Sequence, residues 1–124
     1  MANNGLTKSY AAEGTIGANL IVKVGAADWG ALVAAAVSDK LIGVSTEVAA
    51  VSGERLDVVH EGIADLKLGG TVARGDFLTT DASGQGVTAA PGAGTNNQIV
   101  GKALVSGVSG DIIPVLVAPS MMQG

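Results

Sequence analysis

An all-β module is the fold class this 124-residue sequence predicts, and three observations carry the prediction. Short apolar runs alternate with Gly, Asp, Asn and Ser, the punctuation of a sandwich or barrel. The chain also repeats itself: LIGVSTEVAAVSGERLDVV, from Leu41, has a weaker copy, IVGKALVSGVSGDIIPVLV, from Ile99. Gly43 matches Gly101, 58 positions on; after a one-residue slip, Val51-Ser52-Gly53 matches Val108-Ser109-Gly110, 57 positions on, with Glu54 matching Asp111. Each copy reads as strand, short loop, Gly-plus-acid turn, strand. Finally, 48% of residues are hydrophobic but only 2% aromatic, so Ala and Val must fill the core. Small side chains bury little area each, at about 25 cal/mol per Å². Such a chain needs many small contacts, or a partner surface to complete its burial.

Taken in order, residues 1–18 carry Gly5, Gly14 and Gly17 among small polar neighbours and read as an extended N-terminal arm, anchored by Leu6, Tyr10 and Ile16. The body, residues 19–119, begins with a strand in which Leu20, Val22 and Val24 alternate with Ile21 and Lys23. Leu32–Val37 reads as a second strand despite its alanines, being short for a helix between Gly30 and Ser38-Asp39. Leu41–Thr46 follows. Arg55–Glu61 sets Leu56, Val58 and His60 on one face and Arg55, Asp57 and Val59 on the other. Ala64, Leu66 and Leu68 continue the alternation beyond Gly62, which reads as a bulge or bend. Phe77–Thr79 is a brief strand, Asp81–Gly86 (DASGQG) a turn, and PGAGTNN (91–97) a surface loop. Ile99–Val105 and Ile112–Val117 close the body. Pro114 cannot donate to a ladder, which assigns its strand to an edge or a local break; Pro119 ends the strand and 120–124 form a tail.

Composition narrows the function. The net charge is −4 with pI near 4.6, and seven basic residues are scattered, so no direct nucleic-acid contact is expected. No apolar run approaches the ~18 residues of a bilayer span. The absence of cysteine removes disulfides and thiolate metal sites. MANNGLTKSY lacks the pattern of a signal peptide. Charged residues are 15%, sparse against a typical ~25%, and mean hydropathy is +0.45, as expected of a chain partly covered by other subunits.

No motif carries chemistry. His60 has no second histidine, nucleophile or orienting acid in register with it. PGAGTNN lacks the Gly-Lys-Ser/Thr of a phosphate loop, and DASGQG lacks the later acid of a calcium loop. The carboxylates are dispersed over turns, and no enzyme activity, metal or cofactor is expected. Tyr10 and Trp29 read as interface anchors, because such aromatics concentrate in binding hot spots. VSDKLIGV offers one alternative: a lysine, Lys40, at a turn in a small duplicated β fold, as in lipoyl and biotinyl carrier domains.

The ordered pieces KLIGVS, VSGERLDVVHEGIADLKLG, TVARGDFLTTDASGQGV and QIVGKALVSGVSGDIIPVLVAP, from about Ala26 to Pro119, resemble the phage capsid cement, or head decoration, family. The shared phrases fall at Gly53 to Ala64, Gly75 to Gly84 and Ile99 to Val117. The resemblance implies a small β-barrel or β-tulip-like module without enzyme activity or cofactor. It implies binding to the outer surface of a virion shell built from an HK97-like major capsid protein, often as a homotrimer. On that reading Leu6, Tyr10, Ile16 and Trp29 are candidate capsid or subunit interface residues.

Overall fold

The computed structural model describes residues 6–123; the first five residues of the expected arm and Gly124 of the expected tail lie outside it. Nine strands make up the described fold: β1 (Leu6–Ala12), β2 (Ile21–Val24), β3 (Gly30–Val33), β4 (Leu41–Ser45), β5 (Arg55–Lys67), β6 (Phe77–Thr80), β7 (Gly86–Thr88), β8 (Asn96–Ala103) and β9 (Ile112–Gln123). No helix occurs among the described residues. The strands run in the order β1-β3-β2-β4-β5-β9-β8-β6-β7, and a further β1–β5 pairing closes the first five into a barrel. The all-β expectation holds.

The duplication extends well beyond the two segments visible in the sequence. The hairpin β2–β3, then β4 and the start of β5, is followed by an equivalent hairpin β6–β7, then β8 and β9. The ladders agree pair by pair. Val44↔Val59 in β4–β5 recurs as Lys102↔Leu116 in β8–β9. Val22↔Val33 recurs as Leu78↔Thr88, and Tyr10↔Leu56 as Leu66↔Ile113. The last match makes β1 the counterpart of the second half of β5. The β1–β3 pair Ala12↔Ala31 likewise recurs as the parallel bridge Leu68↔Gly86, which closes the second circuit.

Unusual backbone features repeat with the ladders. A Cβ on Gly43 would lie 2.1 Å from the Val59 carbonyl oxygen, and one on Gly101 would lie 2.0 Å from that of Leu116. Each glycine therefore admits a neighbouring strand at a place where no side chain fits, which is why the sequence repeat preserves this pair. Left-handed backbone occurs at Asn19 (φ 58°) and at its second-half equivalent Gly75 (φ 90°), and at Trp29 (φ 62°) and its equivalent Gly84 (φ 77°).

Three sequence expectations meet a different geometry, and for Pro114 the structure decides between the two alternatives. Leu6–Ala12 is extended, as expected, but is laid into the sheet, pairing antiparallel with β5 and parallel with β3. The Leu32–Val37 strand stops at Val33, because Asp39 Oδ2 accepts the N–H groups of Ala35 and Ala36 at 2.9 Å and folds that stretch into a turn. Pro114 lies in a strand flanked by β5 and β8, one position past the last β8 partner at Val115, so the missing N–H falls at a local break rather than at the sheet edge. Pro119 does not end β9, which continues to Gln123. It sits where the β8–β9 register shifts between Ile99 and Gly101, an irregularity that tolerates a residue without an N–H.

Two apolar clusters form the interior. The smaller holds Ala12, Ile16, Val22, Ala31, Ala50, Leu56 and Val58 of the first half. Its counterparts in the second half, including Leu68, Val72, Leu78, Ile113 and Val115, belong to a larger cluster that also joins the halves. To this junction the first half contributes Ile21, Val44 and Val59; the second contributes Leu66, Val100 and Val117. Val59 thus leaves the face predicted to be polar because the other half covers it. Backbone bonds cross the seam from Ile21 N–H to Gly84 O (2.7 Å) and from Lys67 N–H to Asn19 O (2.9 Å).

Candidate interaction surfaces

The β1–β5 ladder sets Tyr10 of β1 opposite Leu56 and brings it within reach of His60. The ring contacts build outward from that pairing. Tyr10 lies 5.3 Å from the His60 ring centroid and 5.6 Å from that of Trp29, and the Lys8 ammonium sits 5.0 Å from the Trp29 centroid. Two of the chain's three aromatic side chains and its single histidine therefore meet at one end of the first half.

Both His60 nitrogens are engaged. Nδ1 lies 2.8 Å from the Ile42 carbonyl oxygen and must donate to it, which leaves Nε2 to accept the Tyr10 hydroxyl at 2.9 Å. This tautomer holds the imidazole as a spacer between strands, without a proton-relay partner beyond Tyr10. Burial pushes the Tyr10 phenol up, so the hydroxyl stays a donor throughout the neutral range. Among the described residues, no group of three or more His, Cys, Asp or Glu side chains is placed to hold a metal ion.

Trp29 is 60% exposed and held in left-handed backbone at the tip of the β2–β3 turn. Glu13 anchors that turn, its two carboxylate oxygens accepting the Ala26 and Ala27 N–H groups at 2.7 and 3.0 Å. Depressions of about 330 and 520 Å³ flank the indole, both lined by Tyr10, Asp28 and Trp29. Glu54 and Arg55 add to the smaller one.

Of the residues expected at an interface, Tyr10 and Trp29 meet here; Leu6 is exposed four residues earlier on β1, beyond a register shift in that strand's pairing with β5. Ile16 does not join them. It is fully buried in the first-half core and exchanges backbone bonds with Ala50 (2.8 and 2.9 Å), so it is a core residue rather than a surface anchor. Lys40 is exposed, but β3 and β4, which flank it, pair with opposite edges of β2 and not with each other. The tight hairpin that presents a carrier lysine is therefore missing.

Sequence reasoning did not identify two further exposed apolar sets. One is a row across neighbouring strands: Phe77, Lys102, Leu116 and Ile63, linked by successive ladder pairs of β6, β8, β9 and β5. Phe77 is 46%, Leu116 42% and Ile63 37% exposed. The other lies in the loops after β4 and β8, where the repeat-matched Val51 and Val108 are each 54% exposed and Val48 and Val105 are exposed beside them. Preservation of surface valines in both halves was a legible signal, since turns otherwise favour polar residues.

No protein-family model matches the chain, and no curated protein matches it. Among solved structures, the chain is similar to the N base of the head fiber protein gp8.5 of bacteriophage phi29. The TM-score is 0.64 at 17% sequence identity, covering 96% of this chain and 98% of that one. The likeness spans the whole duplicated fold, not one half of it.

Proposed function

We propose that the chain is a phage head decoration protein that binds the assembled capsid lattice from outside and reinforces it against the pressure of the packed genome. The observation that carries this reading is the near-complete structural overlap with a phage head fiber base. The surface supports it independently. Charge is sparse, aromatic and apolar residues are exposed at defined places, and the single histidine is consumed in a structural bond.

On this reading the partner is a major capsid protein of the HK97-like type, and the chain acts as a homo-oligomer, a trimer at local threefold positions. Leu6, Tyr10 and Trp29 are the first contact residues we assign, to capsid or neighbouring subunit. The valine-bearing loops of the two halves supply a pair of equivalent apolar contacts. A protein that binds only the assembled shell stabilises that state by linkage, and modest energies sum over many copies.

The test is to add the purified protein to expanded, undecorated heads and to measure occupancy by sedimentation. We expect saturable binding at about micromolar concentration or below, near −8 kcal/mol per site. We also expect decorated heads to survive heating that ruptures bare ones. Heads that sediment without the protein at that concentration overturn the assignment.

A further inference from the structure

The duplication provides an internal control that a single-copy fold lacks. The first half docks on the second through a row, Ile21–Val44–Val59, that is fully buried and apolar. Its counterpart in the second half is Phe77–Lys102–Leu116, and that row is exposed. Conversely, the second half receives the first on Leu66, Val100, Val117 and Gly84, all buried. The counterparts in the first half are Tyr10, Ile42, His60 and Trp29, the aromatic end. The chain thus carries one satisfied junction and, left over, the two halves of another.

We propose that these leftover halves meet between copies of the chain, with Phe77–Lys102–Leu116 of one protomer seated on the Tyr10–His60–Trp29 end of the next. The substitutions on the two faces are complementary. Where the internal row has Val44, the free row has Lys102, whose ammonium already rests 5.3 Å from the Phe77 ring centroid. Where the internal acceptor has Leu66, Val117 and Gly84, the free end has tyrosine, histidine and tryptophan, and Asp28 is the charged residue among those lining the larger depression. Lys102 finds there the Asp28 carboxylate; the Trp29 ring already carries the Lys8 ammonium at 5.0 Å, so the carboxylate supplies the charge pairing and the rings pack against the lysine stem. Two faces diverging merely for solubility would have gained charge alone, not two of the chain's three aromatics at one end and the third at the other.

The contact between copies does not duplicate the internal junction. A Cβ at Gly84 would already lie 2.4 Å from Val33 Cγ2. Trp29, at the equivalent place, therefore acts as a wedge and turns the incoming protomer away from the internal direction. The contact is head-to-tail, so it closes into a ring or extends into a fibre according to that turn. The inference goes beyond the head-associated role and is tested without any capsid.

The experiment is sedimentation equilibrium of the native chain, of Leu116→Glu and of Trp29→Asn, each alone and as an equimolar mixture. Asparagine tolerates the left-handed backbone at position 29, and circular dichroism checks that both variants fold. We expect the native chain to associate in a concentration-dependent manner and each variant alone to remain monomeric. The mixture should form a one-to-one dimer, because each variant keeps the face the other lacks. A native chain that stays monomeric into the millimolar range overturns the proposal. So does a mixture no more associated than its parts, which would indicate a face pairing with itself. As an independent arm, Lys102→Glu should weaken association tenfold or more, and adding Asp28→Lys should restore it; loss without restoration also counts against the proposed contact.

Discussion

At Gly43 and Gly101, two strands approach so closely that a methyl group would strike a backbone carbonyl on the neighbouring strand, in each half at the same place. Because the obstacle is backbone, relief requires moving a strand rather than turning a side chain. We expect Gly43→Ala and Gly101→Ala each to cost about 1–3 kcal/mol, the range for overpacking a tight interior. Gly92 faces open space, and Gly92→Ala should stay within about 0.5 kcal/mol of the native chain. Urea midpoints for the three variants check this, and equal midpoints would contradict the close-approach argument. Val58 carries a second residue-scale prediction. It is fully buried beside Leu56, so Val58→Asp places a carboxylate in the first-half core with no partner. Loss of the folded state at ambient temperature is the expected outcome, read by near-ultraviolet circular dichroism.

At the scale of elements, the two hairpin turns reach one design by different routes. In the first half Glu13 reaches across to hold the β2–β3 turn, and position 25 is glycine. In the second half the counterpart of Glu13 is Gly69 and the counterpart of Gly25 is Asp81, whose Oδ1 accepts the Ser83 and Gln85 N–H groups at 2.8 and 2.9 Å. A Cβ on Gly69 would lie 2.1 Å from Asp81 Oδ2, so glycine and acid exchange places as a pair. The Ala26 and Ala27 N–H bonds hold the Glu13 carboxyl below its ordinary value. Burial pushes Asp39 up, but the Ala35 and Ala36 N–H groups and the Lys23 ammonium outweigh it and hold Asp39 below its ordinary value too. Both groups are therefore more acidic folded than unfolded. Their stabilisation is complete above the ordinary carboxylate range, about pH 4, and is lost as pH falls through the folded values. Amide shifts of Ala26 and Ala27 should titrate below the ordinary glutamate value in the native chain and be silent in Glu13→Gln; native amides that titrate at the unshifted value would refute the assignment. How much of this the sequence disclosed follows from what each position faces. The Gly43–Gly101 match was readable because backbone proximity admits one residue type, and the DASGQG hairpin because its turn chemistry is local. IVKV and FLTT, by contrast, occupy equivalent strands and share no residue at any position, since Ile21 faces the junction and Phe77 faces solvent. The Tyr10–His60 bond escaped for a related reason: it depends on a ladder between residues fifty positions apart, and His60 in the sequence is only a polar interruption of an apolar face.

For the whole molecule, the question is whether two halves with one ancestral plan behave as two folding units. Their construction argues against it. β5 belongs to both, pairing through its first part with β1 and β4 and through its second with β9. The larger core cluster contains the second-half interior and the junction together, so no surface divides them. Opening the first half alone would expose Ile21, Val44 and Val59, and with them the apolar groups of the second half on which they rest. Repeat arrays whose units touch only through modest interfaces can melt stepwise; a junction continuous with a core should instead couple them. We therefore expect one unfolding transition, with the calorimetric enthalpy equal to the van't Hoff enthalpy, under conditions in which the chain is monomeric. Substitutions confined to one half should move the whole transition: Gly43→Ala in the first barrel and Gly101→Ala in the second should lower the same single midpoint, without separating an early phase from a late one. A calorimetric enthalpy near twice the van't Hoff value, or a scan in which Gly43→Ala shifts only a first step, would mean that the halves unfold separately. The shared strand would then be a linker rather than the spine of one cooperative unit.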